Sequence, residues 1–100
     1  MSYRLVVRPE VDAELLEAEA WYELREAGLG REFLRAARET MDSLSANPLI
    51  YQVRSRRNQV RWAYPHRFPY RIVFRVILDT VVIYAVVHTA RHDRNWKPRL

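Results

Sequence analysis

The chain has 100 residues, 49% of them hydrophobic and 12% aromatic, which is enough apolar surface for one modest core and so for a single domain over residues 1–100. It has no cysteine, which excludes disulfides, thiolate catalysis and cysteine-based zinc sites, and three scattered histidines argue against a metal or cofactor site. The formal charge of +5 is unevenly divided: residues 1–42 hold six bases against ten acids, residues 43–100 eleven against two, so the second half is the one suited to a polyanion or an acidic partner.

Sixteen of the seventeen basic residues are arginine, with Lys97 the only lysine. Arginine's planar fork binds phosphate or carboxylate bidentately and stacks on aromatic rings, which lysine does poorly. A composition bias towards arginine on a solvated sheet face is the plainer alternative. No amino-terminal stretch has signal-peptide character, and the longest apolar run, Val81 to Val87, is far short of the roughly 20 residues that span a bilayer. A cytoplasmic protein without a membrane partner is expected.

In chain order, Tyr3 to Arg8 is a short β-rich run that ends at Pro9, whose ring cannot donate to a ladder but suits the first turn of a helix. Glu10 to Ala27 has helical periodicity, with Val11, Leu15, Ala18 and Tyr22 on one stripe and Leu16 and Trp21 beside it. Glu10, Asp12 and Glu14 lie where carboxylates favour the helix dipole. Gly28-Leu29-Gly30 closes this helix. A second helix is expected from Arg31 to Ala46, its stripe formed by Phe33, Leu34, Ala37, Met41 and Leu44, stopped by Asn47-Pro48. The short link makes an antiparallel helical hairpin.

Leu49 to Asn58 reads as a connecting segment, with room for a short strand near Tyr51 to Val53. The period then changes to two: Val60, Trp62 and Tyr64 alternate with Arg61 and Ala63, and Tyr70, Ile72, Phe74 and Val76 with Arg71, Val73 and Arg75. Asp79-Thr80 is a turn, and Val81 to His88 is β-branched enough for a central strand. Thr89 to Leu100 is polar, with Trp96 its only large aromatic group. The expected architecture is α+β, in the order β-α-α-β-β-β, with the helical hairpin packed on one face of an antiparallel sheet.

Arg61, Arg71 and Arg75 fall on the polar parity of neighbouring strands and are expected to project together from the face away from the helices. His88 and His92, four apart beside Arg91 and Arg94, have the residue types needed for acid–base cleavage of RNA through its own 2′-hydroxyl. The structural alternative is a hydrogen-bonded strand-end histidine and a His92-Asp93 turn pair. No glycine-rich phosphate loop, nucleophile elbow or spaced carboxylate pair is present.

Several segments together carry a resemblance. These are Pro9 and the acidic helix with Trp21-Tyr22, G-L-G-R-E-F at 28–33, Asn47-Pro48, R-F-P-Y-R-I-V-F-R at 67–75 and A-V-V-H-T-A-R-H at 85–92. In this order and spacing they resemble the RelE/ParE superfamily of toxins from type II toxin–antitoxin modules, especially the ParE (plasmid-stabilisation) branch, over nearly the whole chain. The resemblance implies an antiparallel sheet under a helical hairpin and a toxin neutralised by a cognate antitoxin. The mRNA-cleaving branch uses lysine and arginine with a terminal tyrosine, or glutamate with arginine, histidine and a terminal tyrosine. Here Trp96 stands where a late tyrosine is wanted, and the strand after the helices lacks lysine and glutamate; only Arg61, Arg71 and Arg91 match the basic character.

That departure favours the ParE-like branch, which resembles gyrase poisons without a recognised nuclease site. DNA gyrase is then the expected target, with Arg61, Arg71, Arg75, Arg91, Arg94 and Trp96 the expected partner-binding residues. The alternative is a ribosome-dependent mRNA interferase, with Arg61, Arg71, His88, Arg91 and His92 as its candidate catalytic residues and ribosome-bound mRNA as substrate.

Overall fold

Pro9 opens a 17-residue helix in the computed structural model, which describes residues 2–90 and 96–100. The elements are β1 (Arg4–Val7), α1 (Pro9–Arg25), α2 (Leu29–Ala46), a 3-10 turn (Pro48–Ile50), β2 (Arg61–Ala63), β3 (Tyr70–Ile77), β4 (Thr80–His88) and a second 3-10 turn (Lys97–Arg99). In α1 the expected stripe of Val11, Leu15, Ala18 and Tyr22 is buried, and Leu16 and Trp21 stay exposed.

Gly28 adopts φ 87°, a conformation that costs little only without a side chain. The Glu23 carboxylate accepts the backbone N–H groups of Gly28 (2.9 Å) and Gly30 (3.1 Å), satisfying orphan donors at the start of α2. A Cβ on Gly30 would sit 2.6 Å from the Glu19 carbonyl oxygen, so the two helices meet here only because this residue is glycine.

The sheet has the order β1-β4-β3-β2. The hairpins joining β2, β3 and β4 are antiparallel, whereas β1 pairs with β4 in parallel, so the sheet is mixed. Short connections force antiparallel neighbours. The direction of a pairing between strands more than 70 residues apart is not encoded in residue alternation. In place of a strand near Tyr51 to Val53, Val53 makes one isolated bridge to Arg61, just after the 3-10 turn.

On the front face the helices cover Ala63, Ile72, Phe74, Val81, Ile83 and Val86. Phe33 anchors this core, with ring centroids 5.4 Å from Tyr22, 5.3 Å from Phe68 and 4.9 Å from Tyr70. The β3–β4 register slips between Val73 and Phe74, which oppose Ala85 and Ile83, leaving Tyr84 as an extra residue. This bulge is why the front-facing positions of β4 are 81, 83 and 86.

The rear face carries a second cluster of Val60, Val73, Ala85, Val87 and Trp96, with Trp62 and Leu100 against it. Two sequence expectations change here. The apolar parity of β2, Val60 and Trp62, serves this rear cluster, so Arg61 and Ala63 turn to the front. Trp96, expected to meet a target, is 1% exposed and closes the rear cluster like a lid.

Candidate interaction surface

Strand parity puts Arg71 and Arg75 of β3 on the rear face, cross-strand from Val87 and Val82. The Arg71 guanidinium lies 3.9 Å from the Trp62 ring centroid and donates to the Thr89 carbonyl (3.4 Å), while Arg54 approaches the same ring at 4.8 Å. Both contacts use the attraction of a guanidinium for the electron-rich ring. They also occupy Trp62 with cations rather than leaving it as a stacking platform for bases. Arg75 sits 5.9 Å from the Tyr84 ring.

Arg61 does not join them. It opposes Phe74 on the front parity and donates to the Tyr51 carbonyl, fastening the connecting segment to the sheet. Arg54 and Arg4, which do reach the rear side, lacked any signal in the sequence. Arg54 lies in an aperiodic segment, and the position of Arg4 follows only from the parallel pairing of β1 with β4.

His88 ends β4 opposite Tyr70, with ring centroids 5.3 Å apart. Its Nδ1 accepts the Ala90 N–H (3.0 Å), which places the proton of the neutral ring on Nε2. Arg61, Arg71 and His88 are therefore held apart, by a sheet face in the case of Arg71. Arg91, His92 and Arg94 lie outside the described residues.

A groove of about 590 Å³ runs between α1 and the far half of β4, with Glu14, Glu17, Trp21, Leu24, Tyr70 and His88 among its walls. It exists because β1 ends at Val7, paired with Ile83, while β4 continues to His88. Glu14 covers the bare edge: one carboxylate oxygen accepts the Val86 N–H (3.0 Å), the other binds Arg99 (3.1 Å), and Arg99 also donates to the Tyr84 carbonyl (3.0 Å). Burial pushes the Glu14 carboxyl above the usual range, against the opposing pull of the Val86 N–H and Arg99. Among the described residues, no group of three or more potential ligands could hold a metal ion, and no helix is long and apolar enough to cross a membrane.

The profile of one protein family, described as the ParE toxin of the type II toxin–antitoxin system parDE, matches residues 5–93. No curated protein matches the sequence significantly. Among solved structures, the chromosomal ParDE toxin–antitoxin system from P. aeruginosa superposes with a TM-score of 0.77 at 17% identity, over 87% of this chain and 96% of that one, a likeness of fold.

Proposed function

Because this chain belongs to the ParE family of toxins from type II toxin–antitoxin systems, we propose that it arrests growth in the cytoplasm by inhibiting DNA gyrase and is neutralised by a cognate antitoxin. The observation that carries this reading is the arginine-bearing rear face, where Arg54, Arg71 and Arg75 gather with no acidic residue on the neighbouring strand positions. Such a face suits an acidic protein surface. Arg71 and Arg75, together with Arg91 and Arg94, are the residues we assign to partner contact. Arg61 and Trp96 serve the fold.

The mRNA interferase reading draws less support. General acid–base cleavage needs its groups within hydrogen-bond reach of one scissile bond, and Arg71 lies on the rear face while Arg61 and His88 have the front parity, Arg61 opposite Phe74 and His88 opposite Tyr70. Expression should induce the DNA-damage response, and the purified protein should block gyrase supercoiling while leaving mRNA intact. Ribosome-dependent cleavage at defined codon positions, lost in His88→Ala, would overturn the gyrase reading.

A further inference from the structure

The tail divides the rear face into two halves. Trp96 and Leu100 cover Val60, Val73, Ala85 and Val87. The composition of the other half follows from the register: Arg4, Thr80 and Ile77 form one cross-strand row, and Val6, Val82 and Arg75 the next, with Arg4, Val6 and Ile77 exposed and Thr80, Val82 and Arg75 partly so. Val6 and Ile77 are 46% and 43% exposed, high for β-branched residues on a sheet face. Beside them, at the tip of the β3–β4 hairpin, Leu78 is 93% exposed and held at φ 55°.

Leu78 is the odd residue. A two-residue hairpin position with positive φ favours glycine or asparagine, and a branched apolar side chain there neither relieves the backbone nor reaches the core. Folding gains nothing from leucine at this point, so its presence asks for an external contact. The charges give the same indication. Arg4 and Arg75 form no salt bridge among the described residues, and the Asp79 carboxylate at the hairpin tip accepts the Thr80 hydroxyl.

We propose that this open half-face docks the antitoxin, through an amphipathic segment whose apolar side chains cover Val6, Ile77, Leu78 and Val82 while two carboxylates meet Arg4 and Arg75. Sheet spacings set those arginine Cα atoms roughly 12 Å apart, two strand spacings across and two residues along, so the carboxylates on the segment must be separated by about that distance. The occupant is a protein rather than a nucleic acid, because a phosphate backbone would satisfy the arginines but press charge onto four apolar side chains. The inference rests on the toxin–antitoxin reading and narrows it to one surface.

The test is calorimetric titration with the small protein encoded in the adjoining reading frame. Leu78→Asn should keep or raise the melting temperature, since asparagine tolerates positive φ, and weaken binding 10-fold or more. The double variant Arg4→Gln/Arg75→Gln should weaken it at least 100-fold. Arg56→Gln/Arg57→Gln, equal in charge change but in the exposed connecting segment, should bind as the wild type does. Wild-type affinity in Leu78→Asn and in Arg4→Gln/Arg75→Gln, or equal loss in the Arg56/Arg57 control, overturns the inference while leaving the family reading intact. Failure of the wild type to bind the neighbouring protein overturns both. Binding of a short DNA duplex that disappears in Arg4→Gln/Arg75→Gln, with antitoxin affinity unchanged, assigns the surface to nucleic acid instead.

Discussion

The front of the sheet is closed by two helices and the rear by one tryptophan on a short tail. In front, Phe33, Tyr22, Phe68 and Tyr70 interlock where α1 ends and α2 begins, and Ala63, Ile72, Phe74, Val81, Ile83 and Val86 are buried beneath the helices. Behind, Trp96 covers a handful of small side chains, and Val6 and Ile77 in the other half of the face stay exposed. The front is built for stability. The rear, without a second helical layer, presents Arg4 and the half-exposed side chains of Val6 and Ile77 at its surface.

The largest effect should come from the front. Phe33→Ala removes the hub of the aromatic cluster and should cost about 3–5 kcal/mol, read from urea unfolding. A loss below about 1 kcal/mol would show that the rear carries more of the fold than its size suggests. Trp96→Ala should cost less, about 2 kcal/mol, and should expose the tail to limited proteolysis while residues 4–88 remain folded. If instead the whole chain unfolds in one step with a cost equal to Phe33→Ala, the two faces act as a single core.

Much of the front was legible in the sequence, because helical periodicity carries a long, repeated signal. The stripe from Val11 to Tyr22 is buried as expected, as is that from Phe33 to Leu44 except for Leu34, which is partly buried, and the ends of both helices lie within two residues of their predicted positions. The rear was harder to read. In β2 the alternation is correct, but a three-residue strand does not say which of its faces meets the larger core, and Arg61 turns to the front where its parity with Arg71 and Arg75 predicts the rear. Trp96 sits in a polar, aperiodic stretch where burial depends wholly on what the chain crosses. The bulge at Tyr84 inverts the parity of β4 after Ile83, a local event without a sequence marker here.

The smallest effect concerns the junction of the two faces, where Glu14 binds the Val86 N–H and Arg99. Its carboxyl is raised in the folded chain mainly by burial, so the folded state takes up the proton first as pH falls. Stability contributed by this group is therefore fully present below the unfolded value near 4.5 and is lost as pH rises through the raised folded value. Glu14→Gln cannot titrate. The stability of the wild type relative to this variant should improve as the pH falls from 7 to below 4.5. A difference that moves the other way would mean that the Arg99 pair outweighs burial.

The same carboxylate has a consequence for solubility. An unpaired strand edge is a template on which further chains can add, and in a sheet it is the common starting point for fibrous aggregation. β4 outruns β1 by five residues on that side, and its bare donor at Val86 and bare acceptor at Tyr84 are already occupied by Glu14 and Arg99. A strand from another copy would have to displace both side chains and leave a carboxylate and a guanidinium facing the new backbone. Two side chains thus act as a stopper on the sheet, guarding against polymerisation at the edge the short first strand cannot reach.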